Sequence, residues 1–569
     1  MFTRREMLRG GLGAAALGVL HRCGLGGAQS GGCPDTGALP LDQSAPIARV
    51  PFSPDSIVVD GLPFARWYTG DSFANQSIPF HGTPPCYGDD PPPPGEEVDV
   101  AIVGGGISGL GTAWLLRDLE PVVFELRERF GGNARGELWG DTYYSLGTAY
   151  VITPDEGTFL DTLYKQLRLD QVVRVDQGDS QLELGGRVIA GIDDLAHQDP
   201  RLAEALRRYR EVVRYYAEDA YPEIPLPDAS VPWIAELDRK TLRQDIEERM
   251  GMTVPEPLAG AIQAYCYSSF GAGWEEISAA SGWNFLAAEE FGRWVFPGGV
   301  SYMVRQLWTA LGRRDAALPP NCRPRQLRGG CNVVDVRMAP GRRVQVTWVD
   351  SQARCRSLLA RRVVMACPKL TAKHVLHDLP ALDEEKAGAM FELEYRAYVV
   401  ANVLLDEHVA LDFYDIFLHM GPDYPASQAA AAKHSRVTDV LNGHYARREQ
   451  IRRGVLTLYW PLPFDFGRWT LLHEDGFRHY ASSLAPQVRE ALALLGLRQN
   501  AVKQVRMTRW GHALPIARPG LIADGKTELL RRPIDERIFF VHQDNWALPA
   551  VENCLLDAEI YAARIRAGL

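Results

Sequence analysis

The sequence predicts an α/β fold, and three observations carry that reading. Val98–Val103 (VDVAIV) is a near-continuous apolar run of the kind found in a strand buried on both faces of a parallel sheet. Gly104-Gly105-Gly106-Ile107-Ser108-Gly109 follows at once and opens a helical stretch, and a second short run, Pro121–Phe124, ends on Glu125, 21 residues beyond Gly104. Strand, glycine turn, helix and acid-ended strand together read as the βαβ opening of a Rossmann-type dinucleotide-binding domain.

Composition bounds the rest. The chain has 569 residues, with 61 Lys+Arg against 71 Asp+Glu and a formal charge of −10. A dominant nucleic-acid role needs a basic face and is excluded on that balance. With 46% hydrophobic and 23% charged residues, wholesale disorder and fibrous folds are excluded too. The length suits two to four domains, or two that share the chain by interleaving.

In chain order, Arg4-Arg5 precedes a short small-residue apolar run, Gly10 to Leu20, so residues 1–33 resemble a twin-arginine export signal and predict a periplasmic or otherwise exported protein. The run is about half the ~20 residues that span a bilayer, so the mature chain is expected to carry no transmembrane helix. Residues 34–97 are rich in Pro and Gly and end in Asp89-Asp90-Pro91-Pro92-Pro93-Pro94-Gly95, which predicts an extended, solvated arm. Nine cysteines form no CxxC or CxxCH, and there is no HExxH, so no metal site is expected; Cys322 and Cys331 are close enough to pair, with connectivity left open.

Each residue of the glycine turn has a physical task. Gly104 permits the tight turn, Gly106 lets backbone N–H groups approach a pyrophosphate, and Gly109 lets the helix pack against the strand. Ile107 and Ser108 open the helix, whose N-terminus offers partial positive charge to phosphates. Glu125 can accept hydrogen bonds from ribose hydroxyls. NAD and FAD share this fingerprint.

Glu125-Leu126-Arg127-Glu128-Arg129-Phe130-Gly131-Gly132-Asn133-Ala134-Arg135 resembles the ExRxRxGGR segment of the flavin amine oxidase superfamily. That resemblance implies FAD. It differs in placing Asn133 where most members have Arg, so that one phosphate-neutralising charge would be lost or taken over by Arg135. It further implies a flavin-facing loop at Ser145–Tyr150 with Gly147 and Thr148, a helix start after Phe296-Pro297-Gly298-Gly299, an adenine contact at Val334, and a returning strand at Arg362–Pro368. Asp544 would contact the pyrophosphate or ribityl chain, and Val551 would open a final helix facing the flavin. The implied architecture is a Rossmann-type FAD-binding domain (98–150, 296–374 and 506–569) interleaved with an α+β substrate domain (151–295 and 375–505). The family's covalent-flavin SGGCY is missing around Asn553-Cys554, which implies noncovalent FAD.

The substrate side is less legible. Arg509-Trp510-Gly511-His512-Ala513-Leu514-Pro515 stands where the superfamily places residues beside the isoalloxazine, which makes Trp510 and His512 candidates, with Tyr398 and Asn402 from a neighbouring apolar run. The twin-arginine start, Asn402 and RWGHALP loosely resemble the bacterial periplasmic spermidine dehydrogenase branch, which implies oxidation of an amine or polyamine C–N bond by hydride transfer to flavin. Tyr395–Leu405 lacks the lysine that many members place near flavin N5, which favours a quinone or carrier protein over oxygen as electron acceptor. The alternatives are a desaturase or isomerase of a carotenoid-like or lipidic substrate, and a noncatalytic flavin-bound partner protein.

Overall fold

The computed structural model describes residues 36–569 apart from 52–53, 73–85, 89, 178–179, 227–230, 320–324, 408, 422–423, 426, 448–451 and 474–475. The twin-arginine segment lies outside the described residues. The expected strand Glu97–Val103, helix Ile107–Leu115 and strand Val122–Glu125 all form. They belong to a seven-stranded sheet in which Glu97–Val103 lies between Val122–Glu125 and Cys355–Met365, parallel to both. Leu327–Gly329 and Ile538–Phe540 add further parallel pairs, and the hairpin Asn332–Ala339/Arg343–Val349 closes the edge. The apolar residues of Glu97–Val103 point both ways. Val100 and Ile102 pack with Leu110, Ala113 and Leu555, while Ala101 and Val103 pack with Val363 and Phe540 on the other face.

The second unit is a ten-stranded mixed sheet built on three long neighbours, Gly454–Leu462, Tyr395–Leu405 and Val502–Pro515, covered by helices that include Leu258–Phe270. An amphipathic helix forms over Ala203–Arg214, with Leu206, Tyr209, Val212 and Val213 buried. Val502–Pro515 is one unbroken strand of this sheet, so a domain boundary at residue 506 cuts through it. The chain passes from the second sheet into the cofactor-side segment after Pro515.

The arm differs from its composition. Three of its described stretches are sheet strands rather than free chain, while residues 93–95 stay exposed: Ile47–Arg49 pairs in parallel with Gly136–Trp139, Leu62–Ala65 pairs with Val502–Pro515, and Thr69–Gly70 pairs with Thr508 and Arg509 of that same strand. Leu62 and Phe64 are fully buried in the core of the larger sheet. The Pro/Gly content blocks helix, but an extended backbone is what strand addition to an open sheet edge requires. Beyond the arm strands, Cys86 is disulfide-bonded to Cys355. Cys331 is a free, buried thiol, and Cys322 lies outside the described residues. Among the described residues no helix is long and apolar enough to cross a membrane, and no group of side chains could hold a metal ion.

Candidate cofactor and substrate site

Two glycine turns meet face to face. Gly104 has φ +116°, and a Cβ there would lie 2.4 Å from Ala366 O; one on Gly109 would lie 1.9 Å from Gly104 O. Gly131 (φ +120°) donates its N–H to Gly105 O at 2.8 Å, which presses the second turn on the first. At Gly106 the nearest atom to an added Cβ is Gly132 Cα at 3.7 Å, so the space in front of Gly106 is open to a ligand. Behind it, Ile107 and Ser108 form the first turn of Ile107–Leu115, capped by Gly106 without a side-chain hydrogen bond.

Charge around these turns is arranged in pairs. Glu125 is buried and accepts from Gly105 N and Arg127 N, both at 2.9 Å, through different oxygens, leaving a lone pair on each for hydroxyl donors. The Arg127 guanidinium lies 3.8 Å from Glu125 and pairs with Asp71 of the arm. Arg135 donates to Gly132 O at 3.3 Å, but its Nη2 is buried without an acceptor among the described residues. Burial, followed by the neighbouring Arg127 charge, pushes the Arg135 guanidinium down to about 10. A buried cation with a spare donor needs an anion. A diphosphate at the paired turns meets that need, so the residues present fit a flavin dinucleotide.

The loop expected to face the flavin is suspended from the larger sheet. Asn402 Nδ2 donates to Ser145 O at 3.1 Å, Trp510 Nε1 to Leu146 O at 2.8 Å, and the Tyr459 hydroxyl to Gly147 O at 2.5 Å. Three consecutive carbonyls are thus held by three neighbouring strands. Thr148 N donates to Asn133 O at 3.3 Å, and a Cβ on Gly147 would lie 2.2 Å from that same oxygen. Trp510 also presents its ring to Arg127 and Arg135, at 5.8 and 5.3 Å.

Asp544 is fully buried. Burial opposes its ionisation, but His542, Lys369 and the Tyr395 hydroxyl outweigh it and hold the carboxyl at about 2. Lys369 N and Tyr395 OH donate to it at 2.7 and 2.6 Å. Val551 opens the last helix, Val551–Gly568, which packs on the glycine-turn helix through Leu555 and Ala558. Val334 is buried on its strand beside Val333, and Leu126 stands half-buried between Glu125 and Arg127.

Tyr398 is buried, donates to Ser268 O at 3.0 Å and meets Tyr459 edge-on at 5.6 Å. His512 is buried against the edge of Tyr395, 5.8 Å away, and burial followed by Arg468 pushes its imidazole down to about 3. It is neutral at physiological pH. Of the four substrate-side candidates, Asn402 and Trp510 use their donors on the 145–147 loop.

Sequence reasoning missed a buried acidic cluster. Arg293 makes 2.6 Å ion pairs with Asp176 and Asp415, so it is spent on them. Glu289, one turn earlier, accepts from Tyr150 OH at 3.0 Å and Tyr265 OH at 2.9 Å through one oxygen, while the other has no hydrogen-bond partner among the described residues and lies 3.6 Å from Arg293. Burial raises the Glu289 carboxyl above the usual range and Arg293 only partly opposes it. Asp439 repeats the pattern, with one oxygen unpartnered among the described residues and its carboxyl driven well up by burial and then Asp415. Glu289 forms part of the wall of a cavity of about 980 Å³ that Leu182, Tyr209, Ile262, Tyr265 and Phe417 also line. The E-x-x-x-R spacing was the available signal, but it is the spacing of any surface helical ion pair.

Comparison with known proteins adds four findings. A family model described as flavin containing amine oxidoreductase matches residues 107–432. The chain is 22% identical over 541 residues to oxidoreductase PigB of Serratia sp. (strain ATCC 39006), covering 84% of this chain and 76% of that protein. Among solved structures, cyclohexylamine oxidase from Brevibacterium oxydans IH-35A superposes with a TM-score of 0.57 at 18% identity, covering 83% of this chain and 99% of that one. A CLA-producing fatty acid isomerase from P. acnes does so with a TM-score of 0.56 at 12% identity, covering 82% and 98%. At these identities the likeness is one of fold, and the frame houses amine and lipid substrates alike.

Proposed function

The chain belongs to the flavin-containing amine oxidoreductases, and from that premise we propose that it oxidises a C–N bond of a cationic amine, giving an imine that hydrolyses to aldehyde and amine. FAD is its cofactor, and when bound it supplies the acceptor for the substrate hydride. Gly106, Gly132, Glu125, Arg127, Arg135, Asp544 and the helix start at Val551 would hold it, noncovalently.

The observation that carries the amine reading is Glu289. A buried carboxyl with one oxygen lacking a hydrogen-bond partner among the described residues, two phenols on its other oxygen, and its nearest arginine shared with Asp176 and Asp415 puts an acidic acceptor on a cavity wall. An ammonium supplies it with a charged donor, and Tyr150 and Tyr265 keep the carboxylate aimed. An apolar lipid chain would offer that oxygen neither a charge nor a donor. The lack of lysine on Tyr395–Leu405 supports a quinone or small carrier protein as electron acceptor, and Arg4-Arg5 before an apolar run supports export to the periplasm.

Anaerobic absorbance titration with spermidine, putrescine, cyclohexylamine and linoleic acid tests the reading. Bleaching of the flavin band by an amine is expected, with slow recovery in oxygen and fast recovery with a quinone. Glu289→Gln is expected to lower kcat/KM for that amine by about 10- to 100-fold, the scale of a lost buried charge contact. Bleaching by linoleic acid alone would transfer the assignment to the isomerase side of the frame.

A further inference from the structure

We infer that Asp71, on the arm ahead of the dinucleotide-binding domain, is a positioning residue of the FAD site that acts by holding Arg127. The chain is brought to it by close backbone contact. Thr69 and Thr508 share a 2.7 Å hydroxyl hydrogen bond, and Gly70 (φ +90°) lies so near the 502–515 strand that a Cβ would come within 2.3 Å of Arg509 O. Asp71 N then donates to Arg509 O at 2.8 Å, and Arg509 Nε donates to Asp71 O at 2.6 Å.

The side chain is 5% exposed and fully committed. One oxygen accepts from Gly511 N at 2.8 Å, one residue beyond Trp510, and the other takes the Arg127 guanidinium. Burial works against its charge, and Arg127, the Gly511 N–H and His512 together outweigh it, so the carboxyl sits below its ordinary value. Arg127 therefore spans two acids, Asp71 from the arm and Glu125 from the strand end, and Trp510, Arg135 and the glycine turns surround it. Its Nε is buried and has no acceptor among the described residues.

Charge gives the inference a sign. Asp71 and Glu125 against Arg127 and Arg135 sum to zero before a dianionic diphosphate arrives. If Asp71 acted only through its charge, removing it would make the site more positive and tighten FAD. If it positions Arg127, removing it loosens FAD although the net charge improves. Asp71→Asn keeps an acceptor for Gly511 N and is close to isosteric.

The test is FAD binding to apoprotein, read by quenching of flavin fluorescence, with far-UV circular dichroism as the check on folding. The reading rests on FAD as cofactor and not on the amine assignment, so substrate turnover does not enter. Asp71→Asn is expected to weaken FAD about tenfold, and to add nothing when introduced into Arg127→Met. Unchanged or tighter FAD in Asp71→Asn overturns the inference, as does a further loss in the double variant. Should Asp71→Asn fail to fold, Arg127→Lys keeps the charge but lacks the fork that reaches both acids. The same tenfold weakening is expected of it, and wild-type affinity would overturn the role.

Discussion

Asn402 and Trp510, on adjacent antiparallel strands, hold the carbonyl oxygens of adjacent residues, Ser145 and Leu146, at 3.1 and 2.8 Å. The larger sheet thereby fixes the loop at the edge of the cofactor site. Asn402 is fully buried and also accepts from Thr457 Oγ1 at 2.7 Å, so both ends of its amide are used. Asn402→Ala leaves the Ser145 carbonyl and the Thr457 hydroxyl unpaired inside the protein, and a loss of about 2–3 kcal/mol is expected from two such groups. Urea unfolding measures it; a loss under about 0.5 kcal/mol would show that water replaces the amide.

Two glycines of one turn are expected to part company. An added Cβ at Gly109 runs into Gly104 O at 1.9 Å, whereas at Gly106 it comes no nearer than 3.7 Å, to Gly132 Cα. Gly109→Ala should therefore lower the melting temperature of the apoprotein by several degrees. Gly106→Val should leave apoprotein stability nearly unchanged while abolishing flavin retention, read as the 450/280 nm absorbance ratio. A yellow Gly106→Val protein would sink the assignment of that space to the diphosphate.

His512 gives a pH prediction in two parts. Its folded value, about 3, lies below the ordinary 6.5 because burial penalises the imidazolium. The unfolded chain thus takes up a proton between pH 6.5 and about 3 that the folded chain refuses, so this contribution to stability is present above 6.5 and falls away as pH drops. His512→Gln should flatten the stability loss between pH 7 and 5 in thermal melts. The pH–rate profile between 6 and 9 should keep its shape in the same variant; a limb that vanishes would make the imidazole a proton carrier in turnover.

The disulfide Cys86–Cys355 closes 269 residues of sequence and fixes the segment beyond the arm strands to the start of a central strand. Loop-closure entropy places its contribution at a few kcal/mol, with a wide range. Dithiothreitol should lower the melting temperature of the wild type, and Cys355→Ser should start lower and ignore the reductant. An identical melt with and without reductant would show that the cross-link constrains nothing in the unfolded chain.

What could be read from the residues divides by length scale. Val98–Glu125 was legible because its chemistry is local: apolar run, glycines and acid lie within 28 residues and each has one structural solution. Asp544 and Val551 were reachable only through family likeness, since a strand-end acid and a helix start are common anywhere. The arm misled because Pro and Gly exclude helix without distinguishing a solvated chain from one added to a sheet edge, and only the open side of Val502–Pro515 decides between them. Glu289, Tyr459 and Asp71 were invisible for the same reason. Their partners Tyr150, Gly147 and Arg127 are 139, 312 and 56 residues away, and no periodicity records such distances.

The pairing of Thr69 with Thr508, 439 residues apart, also sets an order of assembly. The strand that receives the arm is synthesised 439 residues after it, so strands made early can find their place only late. Until then Leu62 and Phe64 have no core to enter, and the 502–515 strand keeps an open edge. Such long-range closure is slow, and a chain stopped short of residue 502 would be left with an unclaimed apolar strand at its beginning, a ready seed for aggregation.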